Sequence, residues 1–374
     1  MTWEFSLPVK IYFGTDKIKE LPKIIEEYEF ERGVLVCSNT LKKNDVADEI
    51  IKNSNGRLVA VFSDIRPNPT TDNVNACVKV LRENNADFAV ALGGGSPMDC
   101  CKAACAIAKG DDIIESYHTG GKPINKDEVI TMIAVATTSG TGSEITNISV
   151  LTDLNKNVKS TMNDSLMYPK AAIVDPRLTL SVPPKVTAST GLDVLAHALE
   201  SVWSVLHQPI CESCSVHATK LVFEWLYKAY CEPDNLEARE KMAEASIVAG
   251  VAFSNPRTAG SHACSFPLTN LYGVPHGEAC AMTLDFFTRY NAEAENGRLN
   301  KFARDCGFSD AYALADAITN LKKQMGMAMT LTEIGVKTDE EIETLTKMSM
   351  TPLMERNIIP LSYDDIKNMY ISMK

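Results

Sequence analysis

Through the first half of the chain, short apolar runs alternate with longer amphipathic stretches. The runs at 34–37, 59–62, 87–92 and 129–135 are nearly free of polar residues, as expected of strands covered on both faces. Pro8-Val-Lys-Ile-Tyr-Phe13, closed by Gly14, and Ala171-Ala-Ile-Val-Asp175 read as further strands. Between them, 18–28, 41–53, 71–84 and 100–108 carry helical spacing. Strands alternating with helices predict βαβ units and a mostly parallel sheet. One antiparallel hairpin is expected on its rim, with 148–153 and 158 onward as its arms and Asn155-Lys-Asn157 as its turn.

Past residue 188 the strand signals become scarce. Helical runs at 192–206, 211–230 and 236–255 are followed by others to the end, and Pro176, Pro183 and Pro184 punctuate the change. The pattern predicts an α/β domain over 1–182 and an all-α domain over 183–374, with a cleft between them as a natural ligand location. A length of 374 residues suits two domains better than one core.

A net charge of −11 argues against general binding to nucleic acid or to a membrane surface. No apolar stretch is long enough to span a bilayer, and Met1-Thr-Trp-Glu-Phe-Ser-Leu-Pro8 lacks the features of a signal peptide. The odd count of 11 cysteines then points to reduced thiols and a cytoplasmic location. Cys211 and Cys214 form a CxxC with no second pair at structural-zinc spacing.

Two loops at strand ends carry candidate binding chemistry. Gly93-Gly-Gly-Ser-Pro-Met-Asp99 lets backbone approach a pyrophosphate, with Ser96 and a helix N-terminus as donors. It is neither G-x-G-x-x-G nor a Walker A loop, so a tight strand-to-helix turn explains it equally well. Thr137-Thr-Ser-Gly-Thr-Gly-Ser-Glu144 is dense in hydroxyls, as a solvent-facing linker would also be. In the helical half, Asp193 and His197 stand four apart within Gly191-Leu-Asp-Val-Leu-Ala-His-Ala-Leu-Glu200, about 6 Å along a helix axis. Both could reach one metal ion or simply bond to each other. On a continuous helix His262 and His276 would lie about 21 Å apart. Gly273 and Pro275 break any such helix, which lets the chain turn back and bring the second imidazole toward the first.

These four motifs, in this order, resemble the iron-containing (group III) alcohol dehydrogenases. The resemblance runs from Gly14 to at least Asn291, and its Arg257 region is similar to a branch that reduces phosphonoacetaldehyde or related aldehydes. It implies a Rossmann-like dinucleotide-binding domain followed by a helical domain, in a dehydroquinate synthase-like architecture. It implies Asp193, His197, His262 and His276 as ligands of one divalent ion; three imidazoles and a carboxylate suit Fe(II) and Zn(II) alike. Gly94, Gly95 and Ser96 would hold the pyrophosphate of NAD or NADP, with Asp99 bracing the loop. Thr137, Thr138 and Ser143 would lie along the phosphates and the nicotinamide riboside. The implied reaction is hydride transfer between nicotinamide and a short aldehyde or alcohol polarised by the ion, in a homodimer or larger homo-oligomer.

Three departures from the family pattern shape the expectations. Phe266 stands where many members carry a further histidine, which leaves a histidine proton relay without its residue. Cys37-Ser38-Asn39 stands where NAD-preferring relatives carry an aspartate, so Ser38 would face the adenosine ribose without repelling a 2′-phosphate. Arg257, helped by Arg289, is expected to bind the anionic tail of a short aldehyde, with Phe266 in the same substrate pocket. The alternatives are a dehydrogenase of short neutral alcohols or diols, a non-redox enzyme of dehydroquinate synthase type, and an idle nucleotide-binding or assembly protein.

Overall fold

The computed structural model describes residues 2–43, 45–156, 158–294 and 297–374. Asn44, in the expected helix at 41–53, and Asn157, in the expected hairpin turn, lie outside the described residues. The chain divides into two compact units. One comprises residues 7–138 and 142–179; the other comprises the residues up to Ser6, residues 139–141 and residues 180–374. The first unit ends at Thr179. Nothing in the sequence pattern marks 2–6 or 139–141 as belonging with the helices.

The first unit is a parallel α/β sheet. Its strands are β1 (Lys10–Phe13), β2 (Gly33–Cys37), β3 (Leu58–Phe62), β4 (Phe88–Gly93) and β5 (Thr131–Ala136), while β6 (Ile148–Asp153) and β7 (Val158–Asn163) form a separate antiparallel pair and β8 (Ala171–Val174) returns to the sheet. Helices α1 (Leu21–Glu27), α2 (Asn39–Lys42), α3 (Asp45–Asn53), α4 (Thr71–Glu83) and α5 (Gly95–Ala106) make the connections. The six-stranded order is β1-β8-β5-β4-β2-β3, every pairing parallel. β2, β4 and β8 are buried at every position, as their unbroken apolar runs require.

That order decides where a ligand would sit. From β2 the chain moves to one side to place β3 and to the other to place β4, so the order reverses between β2 and β4. In open α/β sheets the crevice beyond the carboxyl ends at such a reversal is the ligand position. Cys37 of β2 is in register with Leu92 of β4, and Gly93 with Ala136 of β5. Ser38, the glycine loop and Thr137 therefore emerge side by side.

The second unit is helical: α6 (Pro184–Trp203), α7 (Pro209–Cys231), α8 (Leu236–Phe253), α9 (Gly260–Tyr272), α10 (His276–Tyr290), α11 (Arg298–Asp305), α12 (Ala311–Gln324), α13 (Asp339–Ser349) and α14 (Tyr363–Ser372). α6 begins earlier than the apolar spacing alone suggests, because Pro184 is well placed in a first helical turn. Most of α6 is buried, and it anchors a core that includes Leu192, Leu195, Leu199 and Trp203 from its own length and Leu226, Leu268, Phe287 and Phe302 from other helices. Among the described residues, no helix is long and apolar enough to cross a membrane. All 11 cysteines are free, and Cys211 is buried near the start of α7.

Candidate functional site

In the helical unit the sequence brings its two histidine segments together as the Gly273–Pro275 break demands. α9 ends at Gly273, whose φ of 68° reverses the chain, and α10 starts at His276. α10 then packs against α6 so closely that a Cβ on Gly277 would collide with the Ser189 carbonyl. Glycine there is what admits His276 to the neighbourhood of Asp193.

The donor atoms converge. Asp193 Oδ1 lies 3.5 Å from His262 Nε2, 3.8 Å from His197 Nε2 and 3.9 Å from His276 Nε2. His262 Nε2 and His197 Nε2 face each other at 3.2 Å. Asp193, His197 and His262 are buried, and His276 is partly open. A metal with bonds of about 2.0–2.3 Å separates neighbouring ligand atoms by about 3.0–3.8 Å, close to these spacings. Asp193 Oδ1 is moreover buried without a hydrogen bond, an arrangement that costs free energy unless an ion completes it. The four residues fit the metal that the sequence resemblance implies.

Their surroundings prepare them for that role. Burial pulls His197 down to about 4, so it is neutral at pH 7 and offers a lone pair. Burial would push Asp193 up, but the adjacent imidazoles, His197 foremost, reverse this and hold its carboxyl well below the usual range. Glu200, fully buried and one turn beyond His197, accepts from His262 through Nδ1 and from the His262 backbone N–H at 3.1 Å. With Nδ1 committed to Glu200, Nε2 is the atom turned to the site. Burial lowers His262, but Cys280, Glu200 and Asp193 together outweigh it and raise the imidazole well above its usual value. Phe253 stacks on His197 with centroids 4.0 Å apart, and Phe266 stacks more distantly on His276 at 6.3 Å.

The sequence reading did not assign Glu200 or Cys280. Glu200 stood in the quoted motif without a role, although a carboxylate three residues after His197 lies on a nearby helix face. Cys280 stands four residues after His276, the same spacing as Asp193 to His197 that drew attention to α6.

Arg289 does not belong to this group. It lies near the far end of α10, about 20 Å along the axis from His276, and its Nη2 pairs with Asp316 at 2.6 Å. The rigid helix that positions His276 is what carries Arg289 away. Arg257 is placed differently. It sits between α8 and α9 with a left-handed φ of 66°, and its N–H donates to the Phe253 carbonyl. A non-glycine residue held in that region is strained, a state that persists where neighbours enforce it. The other histidines are used elsewhere: His207 and His217 pair with Glu212 and Glu244, and His118 is buried in the α/β unit.

In the α/β unit, α5 begins at Gly95, earlier than its apolar residues indicate, so its first turn is the glycine loop itself. A Cβ on Gly94 would come within 2.8 Å of Thr138 Oγ1, which ties the two loops into one closely fitted surface. The Thr137 N–H donates to the Gly93 carbonyl at 3.0 Å. Ser96 Oγ accepts from the Asn68 N–H, and Ser38 Oγ accepts from the Leu41 N–H as the cap of α2. Asp99 is a brace: Oδ1 accepts from Ser143 Oγ at 2.7 Å and Oδ2 from the Val150 N–H at 3.0 Å. Ser143 also accepts from Lys102 Nζ at 2.8 Å, so its buried hydroxyl is engaged under the loop. Of the Thr137–Glu144 loop, Ser139–Thr141 group with the helical unit.

Comparison with known proteins accords with this geometry. Residues 8–176 match the family model "iron-containing alcohol dehydrogenase", and residues 187–373 match that of the C-terminal domain of the Fe-containing alcohol dehydrogenase family. The NAD-dependent methanol dehydrogenase of Bacillus methanolicus is 32% identical over 353 residues, covering 92% of each protein. The 1,3-propanediol dehydrogenase of Citrobacter freundii is 33% identical, covering 90% of this chain and 89% of that one. A crystal structure of sulfoacetaldehyde reductase from Bifidobacterium kashiwanohense in complex with NAD+ superposes with a TM-score of 0.97 at 46% identity, over 100% of this chain and 99% of that one. With both halves of the chain matched in register and a metal-ready cluster in the expected place, the chain belongs to the iron-containing alcohol dehydrogenase family and is a metal-dependent alcohol dehydrogenase or aldehyde reductase.

Proposed function

We propose that the protein reduces a short aldehyde bearing an anionic tail, of the sulfoacetaldehyde type, with a reduced nicotinamide dinucleotide as hydride donor. The observation that carries the reading is the whole-chain likeness to a sulfoacetaldehyde reductase at 46% identity. Asp193, His197, His262 and His276 would hold the ion, which when bound supplies a Lewis acid for the carbonyl oxygen. Glu200 fixes the orientation of His262, and Phe253 and Phe266 keep the imidazole faces against apolar surface and limit water there. Gly94, Gly95, Ser96, Thr137 and Thr138 would receive the dinucleotide phosphates, and Ser38 the adenosine ribose, while Asp99 and Ser143 hold the loop. No carboxylate stands at Ser38, so NADPH would be accepted alongside NADH. Hydride transfer to the carbonyl carbon needs no protein nucleophile, and with Phe266 in place of a histidine the proton would come through water or ribose hydroxyls.

Arg257 is the residue we assign to the tail. Its backbone is tied to Phe253, whose ring lies on His197, so a guanidinium is held close in the chain to the ligands. A charge-assisted bond to a sulfonate or phosphonate is worth about 1.5–3 kcal/mol, about 10–100-fold in kcat/KM. Arg257→Ala should therefore lose that factor for sulfoacetaldehyde and phosphonoacetaldehyde while leaving butyraldehyde nearly unchanged. Equal losses for charged and neutral aldehydes would sink the assignment. The identity to methanol and 1,3-propanediol dehydrogenases favours a neutral alcohol or diol as the second reading. Rates for sulfoacetaldehyde, phosphonoacetaldehyde, succinic semialdehyde and butyraldehyde with NADH and NADPH separate the two. The same proposal places the enzyme in a reducing cytoplasm, in keeping with its free thiols, and as a homo-oligomer, which sedimentation would test.

A further inference from the structure

Cys280 lies among the donor atoms yet has no part in the ligand set that the sequence motif implies. It is fully buried on α10, and its Sγ is 3.9 Å from His276 Nε2. One ligand atom from each of Asp193, His262, His276 and Cys280 lies within 4.8 Å of the other three. A buried cysteine beside an imidazole is ordinarily a small apolar filler. Here a second observation stands beside it: Asp193 Oδ1, in a residue only 2% exposed, points into the same cluster with no hydrogen bond. The sulfur thus shares the space where an incompletely satisfied carboxylate calls for a cation.

The helix geometry explains how sulfur reaches it. α6 offers Asp193 and His197 four residues apart, and α10 offers His276 and Cys280 at the same interval, so each helix presents two donors on one face. We propose that Cys280 is itself a donor to the metal, making the site one of oxygen, nitrogen and sulfur. A metal–sulfur bond of about 2.3 Å beside a metal–nitrogen bond of about 2.0 Å places the two ligand atoms about 3.0–3.5 Å apart at the angles of about 90–109° found between neighbouring ligands. The observed 3.9 Å needs only a small side-chain adjustment to meet it. The thiol proton leaves to solvent as the cation binds, and the thiolate replaces it as the partner of the charge. A soft ligand of this kind moves the preference of the site toward zinc relative to one built of nitrogen and oxygen only. The inference rests on the metal-site reading above.

Cobalt(II) distinguishes the two. The cobalt-loaded protein should show a sulfur-to-cobalt charge-transfer band in the near ultraviolet, absent from Cys280→Ser and Cys280→Ala loaded in the same way. X-ray absorption of the zinc-loaded, unsubstituted protein should require one sulfur at about 2.3 Å, a readout that no folding failure of a variant can disturb. Zinc affinity in Cys280→Ala should fall by about 10-fold or more. One equivalent of bound cobalt without a charge-transfer band, together with a zinc shell of nitrogen and oxygen alone, overturns the role of Cys280 and leaves the four-residue site standing. Failure to take up either ion overturns both.

Discussion

The α/β unit and the helical unit prepare for their ligands by different means. In the α/β unit the surface beside the strand ends is made of backbone and short hydroxyls: Gly94, Gly95 and the first turn of α5, fitted against Thr138. The long polar side chains below it turn inward, with Lys102, Ser143 and Asp99 linked as a brace. In the helical unit the backbone is spent in helices, and the side chains of Asp193, His197, His262 and His276 do the converging. A substitution in the first unit should therefore change how well a loop fits its ligand, whereas one in the second should remove the ligand's attachment outright.

The strongest way to break this contrast is Asp193→Ala. The carboxylate is the atom that three imidazoles face, so its loss should abolish stoichiometric metal binding and lower kcat/KM by about 10³-fold or more, a barrier increase of about 4 kcal/mol. Binding of NADH, followed by fluorescence titration, should survive, because the glycine loop belongs to the other unit. Retained metal, or NADH binding lost in parallel, would contradict the separation. Glu200→Gln should act in the same direction more weakly. An amide still reaches His262 but no longer offers a carboxylate to its Nδ1–H, and such outer partners change metal affinity by about 10–100-fold. Competition with a chelator measures it, and wild-type affinity would assign Glu200 a packing role only.

The same contrast explains what could be read from sequence. Unbroken apolar runs reveal parallel strands because a strand covered on both faces has no polar position to spare, and β2, β4, β5 and β8 came through with edges shifted by only a few residues. The start of α5 was misplaced because glycines contribute nothing to hydrophobic spacing, even where they form the helix's first turn. Ligand spacing on α6 was legible since Asp193 and His197 are near in sequence, whereas the approach of His276 depended on a turn and on the absence of a side chain at Gly277. Arg289 was misassigned for the opposite reason. Nearness along the chain to a ligand says little on a rigid helix, which carried it to Asp316. Asp99 was expected to brace its loop, whereas Ser143 was expected along the phosphates and the riboside, and only the structure shows its hydroxyl engaged with Asp99.

A substitution on the α/β side should have a smaller and differently shaped effect. Gly94→Ala brings a methyl against Thr138 Oγ1, so either the threonine rotates or the loop shifts by a few tenths of an ångström. The KM for NADH should rise by about tenfold, of the order expected for about 1–3 kcal/mol of overpacking, with metal content unchanged. A fall in metal content would show that the loops and the helical site are not independent.

The finest test lies at the brace, where Lys102 and Glu144 are both buried. Burial pushes Glu144 from the ordinary carboxyl range up to about 7, with Lys102 acting against it, and pulls Lys102 down to about 8, with Asp99 and Glu144 acting against that. The folded state holds the Glu144 proton more tightly than the unfolded chain does, so its contribution to stability is complete below about pH 4.5 and is lost as the pH rises through about 7. Lys102 has the opposite sign. The folded state releases its proton more readily, and the contribution is complete above about pH 10.5 and lost as the pH falls through about 8. Both groups thus cost most between about pH 7 and 8. Glu144→Gln keeps the shape of the side chain and removes its charge, so it should raise the Tm at pH 8 relative to pH 5, by an amount corresponding to about 1–3 kcal/mol. Calorimetry of both proteins across that interval measures the difference. A constant offset at every pH would mean that Glu144 ionises in the folded unit as readily as in the unfolded chain, and that its burial costs the fold nothing.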